Sequence, residues 1–284
     1  MFSPKRDETR PGYEMRKEHI AIGVMILLCL PILAIYVTFF AQAFVADGKL
    51  SLSNFRFLYT TIVLGQYTVP TMGPAFRNTV IFTLCVTACE VVISLMAGYA
   101  LSRMRFTGRN FLQKLLLILR LFPGVLLLIS ILYVLMYTKL LNTLLGVVLV
   151  AIALRLPGST FVIRNFFNDI PKDIENSALE DGCSRLTAFF QVIIHMVKPG
   201  IASISVFAFM SAWSNYLLFN TLILTGKVPI MATYLRSLSM NDQMIADYGV
   251  FSAMALVYML PVFVFFIISQ KSLMKGGFSG GKGI

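Results

Sequence analysis

NDIPKDIENSALEDGCSRLTAFFQVIIHMVKPG, residues 168–200, is the stretch on which the reading of this chain turns. It carries five acids, three bases and two prolines, and it lies between apolar runs long enough to cross a bilayer. A chain that breaks such runs with a polar, structured segment places that segment at a membrane face, open to a partner. Pro171 opens a helical segment, KDIENSALED, whose acids suit a helix N-terminus. Gly182 permits a turn that a residue with a β-carbon resists. After it, Leu186, Phe189, Phe190, Ile193, Ile194 and Val197 recur at helical spacing, predicting a second, amphipathic helix that Pro199 ends. Short helix, glycine turn and amphipathic helix make a compact knob.

Around the knob the chain is 57% hydrophobic and only 13% charged, with a mean hydropathy of +0.80, which makes it an integral membrane chain. Strands crossing a bilayer would alternate apolar and polar residues. Here apolar residues run for about 20 positions, as helices need to cover about 30 Å of hydrocarbon. The fold class is all-α, a polytopic membrane protein with six transmembrane helices at 20–46, 76–101, 111–137, 142–166, 201–225 and 248–270. The first run ends in AQAFVA, which mimics a signal-peptidase site, but it is longer than the about 7 to 15 residues of a cleavable signal core, so an uncleaved span is expected. Residues 1–19 read as a mixed-charge, solvated tail. Residues 47–75, with Gly65, Pro70, Gly73 and Pro74, are too polar and broken to span. Residues 76–270 form a core of five spans, and 271–284 a glycine-rich tail.

The net charge of +11 does not indicate nucleic acid, because the bases sit at the ends of apolar runs rather than on one aromatic-interleaved face. With the N-terminus inside, sixteen Lys and Arg fall on the cytoplasmic side and six outside. Both termini and the knob are therefore expected in the cytoplasm. Cys29, Cys85 and Cys89 lie in apolar runs and Cys183 in the knob; without a CxxC pair, neither a metal site nor a disulfide framework is indicated. The tail approaches a phosphate-binding loop at Gly276, Gly281 and Lys282, but Gly283 stands where Ser or Thr is needed and no helix follows. No clustered nucleophile, base or metal-ligand set is visible, so no enzyme active site and no cofactor are expected in this chain.

Three ionisable side chains fall near mid-membrane: Glu90, Arg120 and Arg155. Glu90 paired with one arginine would tie helices together. Two cations against one anion would alternatively leave a surplus positive charge on a solute pathway, favouring an anionic solute. In AWSNYLLFN, Trp213, Tyr216 and Asn220 share one helical face and Asn215 flanks them. That face suits either a saccharide path or helix packing. Pro123 with Gly124, Pro157 with Gly158, and Pro261 interrupt the helix ladder as hinges or as static kinks.

The knob resembles the EAA loop of the membrane-spanning subunits of ATP-binding-cassette importers, approximately IPxxLEEAAxxDGAxxxxxFxxIxLPxxxP. Ile170, Pro171, Glu175, Ala178, Asp181, Gly182, Phe189 and Pro199 match, and Ile193 arrives one residue later than usual. Asn176 stands where the main glutamate is expected, Ser177 and Cys183 replace alanines, and His195 replaces a proline. The layout as a whole resembles the maltose-type carbohydrate-uptake branch. The resemblance implies a type I importer fold whose coupling helix docks on a separate ATPase through Glu175, Asn176, Ser177, Ala178, Asp181, Gly182 and Cys183. It further implies a second, homologous permease subunit in a heterodimer, two ATPase subunits that bind ATP and Mg, an extracytoplasmic solute-binding protein, and residence in a prokaryotic inner membrane. Related chains often carry a tryptophan, asparagine and acid cluster where this one has WSNY, which lacks the acid. The expected solute is an oligosaccharide, with a uronate-containing one the sharper reading. A neutral sugar, a glycerol phosphate-like solute, an amphipathic linker in place of the coupling loop, and a stand-alone secondary transporter are the alternatives. No internal repeat favours the last.

Overall fold

The computed structural model describes residues 11–46, 48–65, 67–239 and 247–277. The first ten residues of the expected tail, residues 240–246 of the loop before the last span, and residues 278–284 of the glycine-rich tail lie outside them.

Helix α1, Pro11–Phe44, begins ahead of the first apolar run and contains Pro31. From Ile20 on its apolar side chains are exposed nearly throughout, as expected of a helix facing lipid, and it rests against α12, Tyr248–Gly277. The centre of the bundle is α2, Gly73–Arg103, packed along α5, Leu144–Asp169, with α9, Lys198–Trp213, against both. Close approach of α2 to α5 depends on Gly98: a β-carbon there would stand 2.5 Å from Ile163 Cγ2. The buried core falls into three clusters, one around Trp213, one around Phe82 and Phe219, and one beneath the knob around Tyr99, Phe167 and Phe189.

Among the described residues, four helical stretches are long and apolar enough to cross a membrane: His19–Phe44, Gly73–Arg103, Leu144–Asp169 and Tyr248–Gln270. Two bent helix pairs, Arg109–Leu121 with Gly124–Tyr137 and Arg185–Met196 with Lys198–Trp213, bring the number up to six, the second pair starting ahead of the expected 201–225. The third expected span, 111–137, is not one rod. It is α3, Arg109–Leu121, and α4, Gly124–Tyr137, bent by 101° at Pro123. Proline offers no amide hydrogen and pushes the residue before it out of the helical region; Phe122 sits at φ −75°, ψ 124°. Pro157 and Pro261, by contrast, lie inside helices that continue through them. The fifth expected span, 201–225, divides into α9 and α10, Tyr216–Leu222, at Ser214 and Asn215.

The segment 47–75 has structure that periodicity did not reveal. Two antiparallel hairpins, β1 (Val45–Ala46) with β2 (Lys49–Leu50) and β3 (Ile62–Leu64) with β4 (Tyr67–Val69), flank a 3₁₀ turn, Ser53–Leu58. Asn54, buried in that turn, donates to the carbonyls of Gln42, Ala43 and Val45 and so caps the end of α1. Arg56 pairs with Asp247 at 2.6 Å, joining this segment to the start of α12.

Candidate functional site

Two sites occupy the bundle, one at the end of α2 and one midway along it. At the first, the knob is α6 (Lys172–Glu180), the turn at Gly182, α7 (Arg185–Ala188), a π-helical turn (Phe189–Ile193) and α8 (Ile194–Met196). Gly182 has φ +89°, a left-handed conformation that glycine adopts without strain. Ser184 caps α7, its hydroxyl accepting from the Thr187 amide at 3.1 Å.

The expected amphipathic stripe is split. Phe189, Ile193 and Val197 are buried, whereas Leu186 and Phe190 are exposed. Leu186 precedes the π-helical turn, Phe189–Ile193, which takes about one more residue per turn than an α-helix. The turn absorbs the extra residue, and Ile193, the motif residue that arrives one position late, is buried with Phe189 on the inward face.

Glu175 is 5% exposed and faces the bundle. Its Oε1 accepts the Tyr99 hydroxyl at 2.6 Å. Arg103 Nε stands 3.3 Å from Oε2 but is not aligned to donate, so that contact is electrostatic. Arg103 Nη2 donates instead to the Phe167 and Ile170 carbonyls at 2.9 and 2.7 Å. Ser102 donates to Asn168 Oδ1 at 2.7 Å. The knob is thus bolted to the ends of α2 and α5, and Glu175 belongs to the bolt. Of the other expected coupling residues, Asn176, Ser177, Asp181 and Gly182 are exposed, and Ala178 and Cys183 half-buried.

At mid-bundle Glu90 meets Arg155, and Arg155 shares a cavity with Arg120. Glu90, on α2, is 0% exposed. Arg155 Nε, on α5, donates to its Oε2 at 2.8 Å, and Ser159, one turn along α5, donates to its Oε1. Arg155 Nη2 also donates to the Phe207 carbonyl of α9 at 3.0 Å, so three helices meet at this pair. Glu90 and Arg155 thus form the ion pair that the helix-tie reading expects. Arg120 is exposed at the end of α3, its guanidinium 5.2 Å from the centre of the Phe161 ring, with no carboxylate partner among the described residues. Arg120 and Arg155 border one cavity of about 400 Å³, together with Ser159 and Phe207.

The second polar set divides. Trp213 is 2% exposed, stacked with Phe209 and Tyr258 at 5.9 and 6.1 Å between ring centres. Its indole N–H donates to the Tyr258 carbonyl at 3.0 Å and the Tyr258 hydroxyl returns a bond to the Trp213 carbonyl at 3.2 Å. A ring so enclosed has no face to offer a solute, so for Trp213 the packing alternative applies. Asn215 caps α10, accepting from the Leu218 amide. Tyr216 and Asn220 remain accessible. The Tyr216 hydroxyl donates to Asn220 Oδ1 at 2.8 Å, and the Arg236 guanidinium lies 5.5 Å from the Tyr216 ring centre.

Sequence reasoning missed Tyr99, Arg103 and Ser159 as partners. Tyr99 and Arg103 are four residues apart on α2, and Arg155 and Ser159 four apart on α5, so helical spacing already put each pair on one face.

Residues 90–273 match the family described as "Binding-protein-dependent transport system inner membrane component". The sulfoquinovosyl glycerol transport system permease protein of Agrobacterium fabrum is 31% identical over 72% of this chain and 71% of its own. The trehalose transport system permease protein of Mycobacterium tuberculosis is 30% identical over 83% of this chain and 85% of its own. The crystal structure of a bacterial ABC transporter involved in the import of the acidic polysaccharide alginate contains a chain that superposes with a TM-score of 0.74. That superposition covers 92% of this chain and 98% of the other at 19% identity, a likeness of fold.

Proposed function

Since the chain belongs to the family of binding-protein-dependent transport system inner membrane components, we propose that it is a carbohydrate-translocating permease subunit of an ATP-driven importer, and that its solute is an acidic saccharide. It is a multi-pass inner membrane protein. The observation that carries the acidic class is Arg120. Glu90 is consumed by Arg155 and Ser159, so the cavity beside them retains one uncompensated guanidinium, whose fixed donors match a carboxylate or a sulfonate. The relative named for sulfoquinovosyl glycerol supports a charged saccharide. The relative named for trehalose means that family alone does not choose between charged and neutral sugars, which leaves the choice to the cavity.

The path is completed by a second, similar permease subunit. The knob docks on an ATPase subunit that binds ATP and Mg; the exposed Leu186 and Phe190, beside Asn176, Ser177, Asp181 and Gly182, support this, because large apolar side chains on a polar loop mark a contact surface. This chain is the non-catalytic member of the complex. The excess of bases at the knob end supports a cytoplasmic knob and cytoplasmic termini, with a solute-binding protein docking on 47–75 and on the loop within 226–247. ATP-driven closure pulls on the knob. The Glu175–Tyr99 bond and the Arg103 bonds to the Phe167 and Ile170 carbonyls pass that movement to α2 and α5 together, which carry Glu90 and Arg155. The cavity turns outward to accept solute, and hydrolysis resets it.

The test is uptake by the reconstituted complex carrying Arg120→Gln, supplied with an acidic oligosaccharide and its neutral counterpart. Uptake of the acidic solute is expected to fall about tenfold or more while the neutral one is spared, the loss of a charge-assisted bond. Equal losses on both solutes sink the acidic assignment.

A further inference from the structure

A cavity of about 550 Å³ opens between the end of α2 and the near face of α6. Its charge is one-sided: Arg103, Arg105, Lys172 and Arg185 border it, with Glu175 the sole acid. Glu175 is already engaged by Tyr99 and faces Arg103, which itself holds the Phe167 and Ile170 carbonyls. Arg105, Lys172 and Arg185 remain, all exposed and none in an ion pair among the described residues.

Helical spacing sorts α6 into two faces. Lys172, Glu175, Asn176 and Leu179, at i, i+3, i+4 and i+7, line the cavity. Asp173, Ser177 and Glu180, at i, i+4 and i+7, lie outside it and are exposed. The exposed acids of the helix are thus turned away from the cations. Asn176 is the position where the EAA motif has its glutamate, and it lines the cavity. A glutamate there would place a carboxylate among three free cations; an asparagine leaves them without one.

We infer that this cavity receives an aspartate or glutamate side chain of the ATPase subunit, which supplies from outside the anion that position 176 lacks. The inference rests on the reading of the knob as the ATPase docking element, and goes beyond it by fixing the sign of the partner's charge and the place where it enters. A carboxylate entering here gains from three cations at once, two of them guanidiniums able to hold it bidentately. The acidic outer face of α6, Asp173 and Glu180, meanwhile repels the same group, so the charge pattern orients the partner as well as attracting it. The wall of the cavity is the docking helix itself, which favours a protein carboxylate over the phosphate of an anionic lipid.

The experiment uses the assembled complex. Arg105→Glu and Lys172→Glu, two exposed positions, are compared with Asp173→Lys on the opposite face, and retention of the ATPase subunit is followed against salt. Each reversal at the cavity is expected to weaken retention roughly tenfold at low salt, with the effect shrinking as salt is raised. Reversing an acid of the ATPase to lysine is expected to restore it. Asn176→Glu, a mild surface change, is expected to weaken retention in the same direction by placing a competing carboxylate in the cavity. Leu186→Cys, at the exposed apolar edge of the knob, reports contact by crosslinking to the ATPase. A crosslink with retention indifferent to all three cavity changes overturns the inference and leaves the docking reading standing. No crosslink overturns the docking reading and this one with it. An effect of the reversals seen in bilayers containing phosphatidylglycerol but lost in phosphatidylcholine alone identifies a lipid phosphate as the occupant and likewise overturns it.

Discussion

Glu90 and Arg155 differ in one respect that predicts an unequal response to mutation: the acid is 0% exposed, while the arginine side chain is 24% exposed and borders a cavity. Removing one partner of a buried pair costs about 3–5 kcal/mol, because the other is stranded. In Glu90→Gln the stranded group is Arg155, which keeps the Phe207 carbonyl and can be reached by water through the cavity, so the cost is expected below that range, at about 2 kcal/mol. In Arg155→Gln the stranded group is Glu90, sealed from solvent with only the Ser159 hydroxyl left. The cost is then expected at the upper part of the range, about 4 kcal/mol. The double variant pairs two amides of similar volume and should recover much of the loss, giving a coupling energy of at least about 2 kcal/mol. Unfolding of the detergent-solubilised chain in a denaturing-detergent titration measures all three. Equal costs for the two single variants, or a double variant whose cost is their sum to within about 0.5 kcal/mol, would refute the reasoning. The double variant also leaves Arg120 in place, so a complex carrying it should still prefer the acidic solute.

Trp213→Ala removes an enclosed indole and its bond to the Tyr258 carbonyl; stability is expected to fall by about 3–5 kcal/mol, with the ratio of acidic to neutral uptake unchanged in whatever fraction folds. A changed ratio would return Trp213 to the pathway. Gly182→Ala adds a β-carbon that meets nothing within 4 Å but forces φ +89° on an L-residue, a strain of about 1–2 kcal/mol. The chain should insert normally while solute-stimulated ATP hydrolysis by the complex drops, and undiminished stimulation would count against the turn as part of the coupling element. Tyr234, on α11 (Met231–Ser239), has a buried hydroxyl without a hydrogen-bond partner among the described residues, and burial pushes its phenol from 10.0 up to about 12. A pKa raised on folding contributes stability that is complete below pH 10.0 and is lost as pH rises toward about 12. Tyr234→Phe should abolish that loss and leave neutral-pH stability unchanged or higher by about 1 kcal/mol; melting curves against pH read both.

Much of this architecture was legible because apolar runs and basic flanks are one-dimensional signals. The limits of α2 and α5 fall within about three residues of the runs that predict them, and α12 begins with its run but continues into the first residues of the expected glycine-rich tail. What escaped was set by contacts distant in sequence or by single backbone positions. Pro123 and Pro157 look alike in the sequence, each followed by glycine, yet the chain breaks at the first and runs helically through the second, which is buried beside α2. Composition could not separate them, because the outcome depends on what packs around each. The hairpins in 47–75 are strands of two or three residues, too short to display a period. Trp213 and Tyr216 sit on one face by spacing, yet a break at Ser214 puts one in the core and leaves the other accessible. For the knob the late arrival of Ile193 was legible as a departure from the motif, and the structure supplies its physical counterpart, a π-helical turn that absorbs one residue.

The same arithmetic governs both cavities. Beside each, one buried acid is spent internally, Glu90 on Arg155 and Ser159, Glu175 on Tyr99 beside Arg103, and each of these acids sits on or against α2. Burial explains why: a carboxylate sealed from water is tolerable only when it is fully met by donors, and a carboxylate so met cannot also neutralise a cation at the rim. The rims therefore keep their charge, Arg120 in mid-bundle and Arg105, Lys172 and Arg185 at the knob. A cation left at a rim is cheap while water can reach it and becomes costly when a partner or a second subunit closes the space. On the proposed reading, closure of either cavity favours an entering anion over a cation, and the acids buried in the fold are what leave the remaining bases free to make that choice.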